Sequence, residues 1–263
     1  MLSPIFIHLP LPSEYSISDS LIRIKDLVEE ASEKKFPAIA ITDTNNIFSL
    51  VKFYKTAIKS GVKPIIGIEV NLKNEDSESK FSRVVLLCKN MTGFNNLSNL
   101  ITDSYVNLGE NNNFVITKDE LAKKSDGLIA LSGGIHGDLA NAIKLEKQEL
   151  IHESINYWKK NFPKSFYIEI SRTGKDFEEE YLSYALELAE KYKIPLVASN
   201  DVRFIEKKDF QAHEVRVCIN NGSYLKDEKR KSEYNENQYL RTSEEMNEIF
   251  ADIPSAITNS YEI

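Results

Sequence analysis

The chain has 263 residues, 41% of them hydrophobic and 28% charged, with a formal net charge of −7. That length suits one α/β barrel or two smaller domains, and the composition is that of an ordinary globular domain. An acidic body argues against a general DNA-coating role, which needs a basic face to neutralise phosphates, but it leaves room for a local basic patch. Cys88 and Cys218 are the only cysteines. Cys88 sits in the apolar run "VVLLCK", the setting of a buried, reduced thiol. No apolar run approaches the roughly 20 residues of a membrane helix. The opening "MLSPIFIHLPLP" has no basic start and is broken by prolines, so it does not read as a signal peptide. The expected compartment is the cytoplasm, with no membrane partner.

In chain order, the first predicted strand is "IFIHL" (5–9). It runs into Pro10 and Pro12, where a strand would go on pairing. Proline has no N–H for a ladder and fixes its own φ. Ser18–Lys35 follows, with Leu21, Ile24, Leu27, Val28 and Ala31 at the spacing of a helix with one buried face. Further strands are predicted at "AIAIT" (38–42), "PIIGIEVNL" (64–72), "RVVLLCK" (83–89), "GLIALS" (127–132), "FYIEIS" (166–171) and "PLVASN" (195–200). Leu50–Lys59 and Phe177–Tyr192 read as helices. "TKDELAKKSDG" opens with Thr117 and Glu120 in a capping-box pattern and is expected to stop at Gly127. "KDEKRKSEYNENQ" (226–238) reads as a solvated loop. At the end, "SEEMNEIFADIPSAITNSYEI" gives a helix, a break at Pro254 and a second amphipathic pattern with no stop signal after it. That uncapped end reads as a piece of a longer chain.

Seven strands with helices between them predict parallel βα units, and runs apolar throughout predict strands covered on both faces. The expected fold is α/β, a seven-stranded TIM-like (β/α) barrel. In such barrels chemistry gathers at the C-terminal strand ends. Those ends carry Asp43, Glu69, Glu169 with Arg172, Asn200 with Asp201 and Arg203, and Ser132 with Gly133 and Gly134. In a closed barrel Asp43, Glu69, Asp201 and Glu169 would share one mouth. Clustered carboxylates need a metal, a proton or a cationic side chain to neutralise them. Phosphoesterase centres of zinc or manganese mix carboxylates with several histidines. Only His8, His136, His152 and His213 are present. His152 and His213 fall mid-helix, His136 on a loop, and His8 at the end of the first strand, the best placed of the four. One histidine among carboxylates makes a poor transition-metal site; magnesium held by carboxylates alone stays open.

The blocks "FIHLPLPSEYSISDSL", "PAIAITDTNNIFSLVKFYKTAIKSGVKPIIGIEV", "NMTGFNNLSNLITDSY", "GLIALSGGIHGD", "FYIEISRTG", "PLVASNDVRFIEKKDFQAHEVRVCI" and "YLRTSEEMNEIFADIPSAITNS" occur in order along the whole chain. In them the chain resembles the N-terminal polymerase-and-histidinol-phosphatase (PHP) domain of the bacterial DNA polymerase III alpha subunit, of the proteobacterial kind. The resemblance implies a distorted seven-stranded barrel over residues 1–263, with the following polymerase region starting at about 255–263. Active members carry a His-x-His pair after the first strand, and here it falls on Pro10 and Pro12. Thr44 stands where a Thr-Asp-His block has its histidine, and Asp43 is kept. Arg83, Thr173 and Arg203 stand at three further histidine positions, while Glu69 and Asp201 are retained.

The resemblance thus implies a vestigial metal site of His8, Pro10, Pro12, Asp43, Thr44, Glu69, Arg83, Thr173, Asp201 and Arg203, with no catalytic residue and no metal or other cofactor in this domain. Arg83 and Arg203 are expected to turn into the old mouth and pair with Asp43, Glu69 or Asp201, supplying the charge that metals once gave. The parent polypeptide would carry out template-directed synthesis with magnesium, through carboxylates outside this chain. This domain would serve as scaffold and as docking site for the proofreading exonuclease subunit, meeting DNA through the full replicase. "KRK" (229–231) could touch phosphate in that setting. The competing reading is a residual metal-dependent phosphoesterase or nuclease.

Overall fold

The computed structural model describes residues 4–74, 81–106, 114–227, 230 and 232–263. Among these, six strands form one sheet: β1 (Ala38–Ile41), β2 (Lys63–Lys73), β3 (Phe81–Cys88), β4 (Leu128–Leu131), β5 (Phe166–Ser171) and β6 (Leu196–Ser199). They lie side by side in chain order. Among the described residues ten helices accompany them: α1 (Ile24–Glu33), α2 (Leu50–Lys59), α3 (Met91–Val106), α4 (Lys118–Lys123), α5 (Asp138–Lys144), α6 (Gln148–Asn161), α7 (Glu178–Tyr192), α8 (Phe210–Asn221), α9 (Ser243–Ile249) and α10 (Pro254–Glu262).

Two expectations are corrected here. The sheet is not all parallel: β1–β2, β4–β5 and β5–β6 are parallel, but β3 runs against both of its neighbours. Only residues 74–80 join β2 to β3. That is too short for a parallel crossover, which needs a dozen residues or more. Nor is there a seventh strand, and the barrel is not closed, among the described residues. Residues 5–9 are extended and lie beside β1, where Ala40 N–H donates to the His8 carbonyl (3.1 Å) and Thr42 N–H to the Leu11 carbonyl (2.9 Å). The Phe6 and Ile7 N–H groups donate to hydroxyls of Ser243 (3.3 Å) and Ser260 (3.0 Å). Serines of α9 and α10 thus take donors that a neighbouring strand would have used. Pro10 and Pro12, both buried, have no N–H to offer there.

The sheet nevertheless curls. One buried cluster joins Ile7 and Leu9 to Ala38 and Ala40 of β1, Val85 and Leu87 of β3, Ile129 and Leu131 of β4, and Val197 of β6. The first and last strands can share a cluster only if the sheet bends round on itself. The alternate residues, such as Ile68, Val70, Val84, Leu86, Ile168 and Ala198, face outward into a larger core under the helices. Two-residue periodicity therefore fixes which side chains line the inside of the curl. Glu69, Arg83, Glu169 and Ser199 all belong to that inner set.

Local sequence signals act as expected at several helix ends. Thr117 and Glu120 form a reciprocal capping box at α4: Glu120 N–H donates to Thr117 Oγ1 (3.2 Å) and Thr117 N–H to Glu120 Oε2 (2.8 Å). Pro254 occupies the first turn of α10, where its missing N–H costs nothing. Gly127 does not cap α4, which ends at Lys123. Its φ of +73° instead lets the chain cross Gly93, whose own Cβ would sit 1.9 Å from the Gly127 carbonyl oxygen. The helix expected from Ser18 starts only at Ile24. The residues before it are held in tertiary bonds: Ser20 Oγ and Leu21 N–H both donate to the Arg203 carbonyl, and Glu14 N–H to that of Ile22. Both cysteines are free, and burial pushes the Cys88 thiol up to about 12. No described helix is long and apolar enough to cross a membrane.

Candidate functional site

A cleft of about 550 Å³ opens at the end of the curl formed by the C-terminal ends of the parallel strands, lined among others by Glu69, Arg83, His136, Lys175, Arg203 and Tyr234. Its floor is an ion cluster centred on Asp201, which is 5% exposed. Asp201 Oδ1 accepts from Arg203 Nη2 (2.6 Å) and Arg83 Nη1 (3.1 Å). Its Oδ2 accepts from Lys175 Nζ (2.9 Å) and Gln238 Nε2 (2.8 Å). Each oxygen thus takes two donors, which is what an ionised carboxylate can satisfy at full strength. Asp201 adopts a φ of +45° just beyond β6, a conformation aspartate tolerates better than most residues.

Strand register assembles the rest. Asn71 lies opposite Arg83 and Glu69 opposite Val85, so Glu69 and Arg83 are diagonal neighbours on one face. Arg83 Nη1 reaches Glu69 Oε2 at 3.4 Å. On β5, Glu169 Oε1 accepts from Ser199 Oγ of β6 (2.7 Å), while its Oε2 has no hydrogen-bond partner. The loop after β4 packs so closely that a Cβ on Gly133 would fall 2.1 Å from the Arg83 carbonyl oxygen.

Charge and burial oppose each other here, and the outcome differs by residue. Burial would push the Asp201 carboxyl up, but Arg203, Lys175 and Arg83 overcome it and hold the group well below the usual carboxylate range. For Glu69 burial wins over Arg83 and Arg203, and its pKa is raised. For Glu169 burial again wins, over Arg83 and the Ser199 hydrogen bond, and the pKa is raised. Burial lowers the pKa of both Arg83 and Arg203, yet their acidic neighbours raise them further. Glu169→Gln is therefore expected to stabilise the protein at neutral pH and to lose that advantage in acid. A folded pKa above the unfolded one means the native state holds the proton more tightly. Stability from that group is full below its unfolded pKa and falls as pH rises to the folded one. Urea midpoints of wild type and variant should converge as pH drops; a difference independent of pH would show that Glu169 is not the titrating group.

The side chains of the other expected site residues bond elsewhere. Asp43, 1% exposed, makes no ion pair among the described residues; it accepts from Ser13 N–H (2.6 Å) and from the hydroxyls of Ser13, Ser16 and Ser49. Of the three acids proposed for the arginines, Glu69 and Asp201 are paired and Asp43 is not. Thr44 Oγ1 donates to Asp19 Oδ2 (3.2 Å), and Thr44 extends the parallel pairing towards Glu69. Thr173 Oγ1 donates to Glu178 Oε1 (2.8 Å). Arg172 turns to Asp252 and Glu179 instead. His8, expected to be the best-placed histidine, is packed between Phe6 and Phe36 with Nε2 on the Arg241 carbonyl (2.9 Å). Strand alternation turns it away from Ile7 and Leu9, and burial lowers its pKa to about 4. The exposed His136 is the histidine that lines the cleft. His152 and His213 do lie within helices, α6 and α8.

The segment read as a solvated loop also supplies site residues. Tyr234 lies over the Arg203 guanidinium (5.5 Å) and donates to Asp19 Oδ1 (3.1 Å). Gln238, fully buried, binds the carboxylate and the carbonyl of Asp201. Asn200 Nδ2 donates to the Asn237 and Tyr239 carbonyls. No periodicity marks these residues in a polar run. Lys175, which no pattern singles out, directly follows Gly174 of "FYIEISRTG". Lys229 and Lys231 of the basic triplet lie outside the described residues, and Arg230 pairs with Glu214.

The PHP domain family model matches residues 8–173. The DNA polymerase III subunit alpha of Pseudomonas fluorescens is 44% identical over 98% of this chain and 22% of its own length. Those of Vibrio cholerae and Escherichia coli K12 are 42% and 41% identical over 100% of this chain and 23% of their own. The chain thus spans less than a quarter of these curated relatives. On the family match and on identity maintained along its whole length, the chain belongs to the PHP domain family, in its DNA polymerase III subunit alpha branch.

Proposed function

We propose that this chain is a non-catalytic scaffold within a cytoplasmic replicase alpha subunit. In this reading it has lost the metal-dependent phosphoesterase activity of its family and holds the proofreading exonuclease subunit. The polypeptide that carries it performs template-directed DNA synthesis with magnesium, through carboxylates outside residues 1–263, and the polymerase region begins at about 255–263. One observation carries the loss of activity: Arg83, Arg203 and Lys175 converge on Asp201 in the cleft. Three fixed cations are a stable substitute for the positive charge of a metal centre. Glu169 Oε2 is unpartnered and His136 lines the cleft, but among the described residues no three histidine, cysteine or carboxylate side chains gather to hold a metal ion. Both oxygens of Asp201 and of Asp43 are already occupied by protein donors. Pro10 and Pro12 offer no ligand atom, and the hydroxyls of Thr44 and Thr173 are committed to Asp19 and Glu178. A transition-metal phosphoesterase needs imidazole or carboxylate groups free to ligate.

Elemental analysis of unchelated protein, beside a phosphoesterase assay with added manganese, tests this reading. The expected result is substoichiometric metal and no chelator-sensitive hydrolysis. Two or three equivalents of zinc or manganese with chelator-sensitive turnover would restore the phosphoesterase reading.

A further inference from the structure

The outer face of α2 differs from that of its neighbour. On α1 the exposed positions are Lys25, Asp26, Glu29, Ser32 and Glu33, a plain solvated face. On α2, Val51, Tyr54 and Ile58 are each more than half exposed, and so is Phe48 just before the helix. Val51, Tyr54 and Ile58 follow the i, i+3, i+7 spacing of one helix stripe. Phe53 and Ala57, on the opposite side, already fill the core. The exposed stripe is therefore extra to folding, and leaving it in water is unfavourable.

A second stripe runs beside the first. Lys52, Lys55 and Lys59 repeat the same spacing one residue on, and α2 contains no acidic residue. Lys52 reaches Glu14 (3.2 Å), but Lys55 and Lys59 make no ion pair among the described residues. In a chain of net charge −7 this is a local reversal of sign. We infer that the outer face of α2 docks an amphipathic helix of a partner polypeptide, apolar along one stripe and acidic along its flank. Apolar side chains of the partner lie along Val51, Tyr54 and Ile58, and its carboxylates face Lys55 and Lys59. The arrangement is the helix-against-helix mode in which an i, i+3, i+7 row supplies anchors and flanking charge sets partner choice. Single-stranded nucleic acid fits less well, because Val51 and Ile58 have no ring on which a base could stack. This inference gives the scaffold reading a particular face, yet its test is separate from the metal and phosphoesterase assay that decides that reading.

Two labelled peptides of about 20 residues, long enough to hold a helix, serve as probes. Both carry leucine at i, i+3 and i+7; one has glutamate along the flank and the other lysine. Fluorescence anisotropy with the 263-residue chain should show the acidic peptide binding roughly tenfold or more tightly than the basic one, less so as salt rises. Val51→Asp with Ile58→Asp should remove binding. Lys55→Glu with Lys59→Glu should invert the preference between the two peptides. All four positions are exposed, and far-UV circular dichroism checks that the variants stay folded. Equal binding of both peptides, or unchanged binding by Val51→Asp/Ile58→Asp, would overturn the proposal. So would self-association that this double variant abolishes, which would make the occupant a second copy. Binding of an oligothymidylate that needs Lys55 and Lys59 but not Val51 and Ile58 would assign the face to nucleic acid and overturn it as well.

Discussion

Replacing Asp201 by alanine is expected to lower the unfolding free energy by about 3–5 kcal/mol, the range for breaking a buried ion pair by removing one partner. The reason is the asymmetry of the cluster. Asp201 is the common acceptor for Arg83, Arg203 and Lys175, and Arg203 is itself 3% exposed. Without the carboxylate, three cations face one another and, among the described residues, Glu69 is the one acid left in an ion pair with any of them. Arg203→Met should cost less, about 1–3 kcal/mol, because Asp201 keeps Arg83, Lys175 and Gln238. The double variant Asp201→Ala/Arg203→Met should lose less than the sum of the two, since the second change removes a charge that the first left unpaired. Urea unfolding of the four proteins measures the cycle. Additive losses, or a cost of Asp201→Ala near zero, would mean that the cluster does not balance the cleft. The acid limb gives an independent check. The folded pKa of Asp201 lies below its unfolded value, so its contribution is present above the unfolded pKa and is lost as pH falls through the folded one. Wild type and Asp201→Ala should therefore approach each other in stability at strongly acid pH.

Asp43→Ala should be the second large loss, about 3 kcal/mol, for a different reason. No charge is uncovered. Instead the Ser13 N–H and the hydroxyls of Ser13, Ser16 and Ser49 lose a buried acceptor together. Each unsatisfied buried donor costs about 1–3 kcal/mol, and rotatable hydroxyls recover part of it. Asp43→Asn should lie between wild type and alanine, since one amide oxygen can still accept. Hydrogen exchange should rise first across residues 13–20 and 44–49, the segments this carboxylate ties together. An effect spread evenly over the molecule, or a loss below ~0.5 kcal/mol, the scale of an ordinary surface substitution, would remove Asp43 as the organiser of that loop. The two aspartates thus do unlike work although both stand at strand ends: one balances cations, the other gathers hydroxyl and amide donors.

Much of the fold was legible in the residues alone. Six apolar runs became strands close to their expected bounds, and Leu50–Lys59 became α2 without adjustment. These segments bury apolar surface in a simple period, so local pattern and tertiary environment agree. Where they disagree, a distant partner decides. "IFIHL" has the pattern of a strand, but Ser243 and Ser260 take donors that a neighbouring strand would have used. The residues before Ile24 have a helical pattern, but the Arg203 carbonyl takes the Leu21 N–H and the Ser20 hydroxyl.

The site shows the same division. The sequence by itself determined how little imidazole is available, four histidines in 263 residues; that proline, threonine and arginine stand at ligand positions is what the family resemblance implies. It also offered Arg83 and Arg203 as counter-charges for Asp43, Glu69 or Asp201. Tertiary structure alone decided how. Alternation along β3 and the register with β2 turned Arg83 inward beside Glu69. The φ of +45° at Asp201 presented both oxygens to donors from β3, from the loop after β5 and from residue 238. Alternation faced His8 away, while the turn after β4 put His136 at the cleft. Residue type sets which charges must be neutralised, since an unpaired buried charge is costly wherever it lies. Which pairs do so depends on distances of about 3 Å between atoms remote in the chain, and these exist only once the sheet has curled.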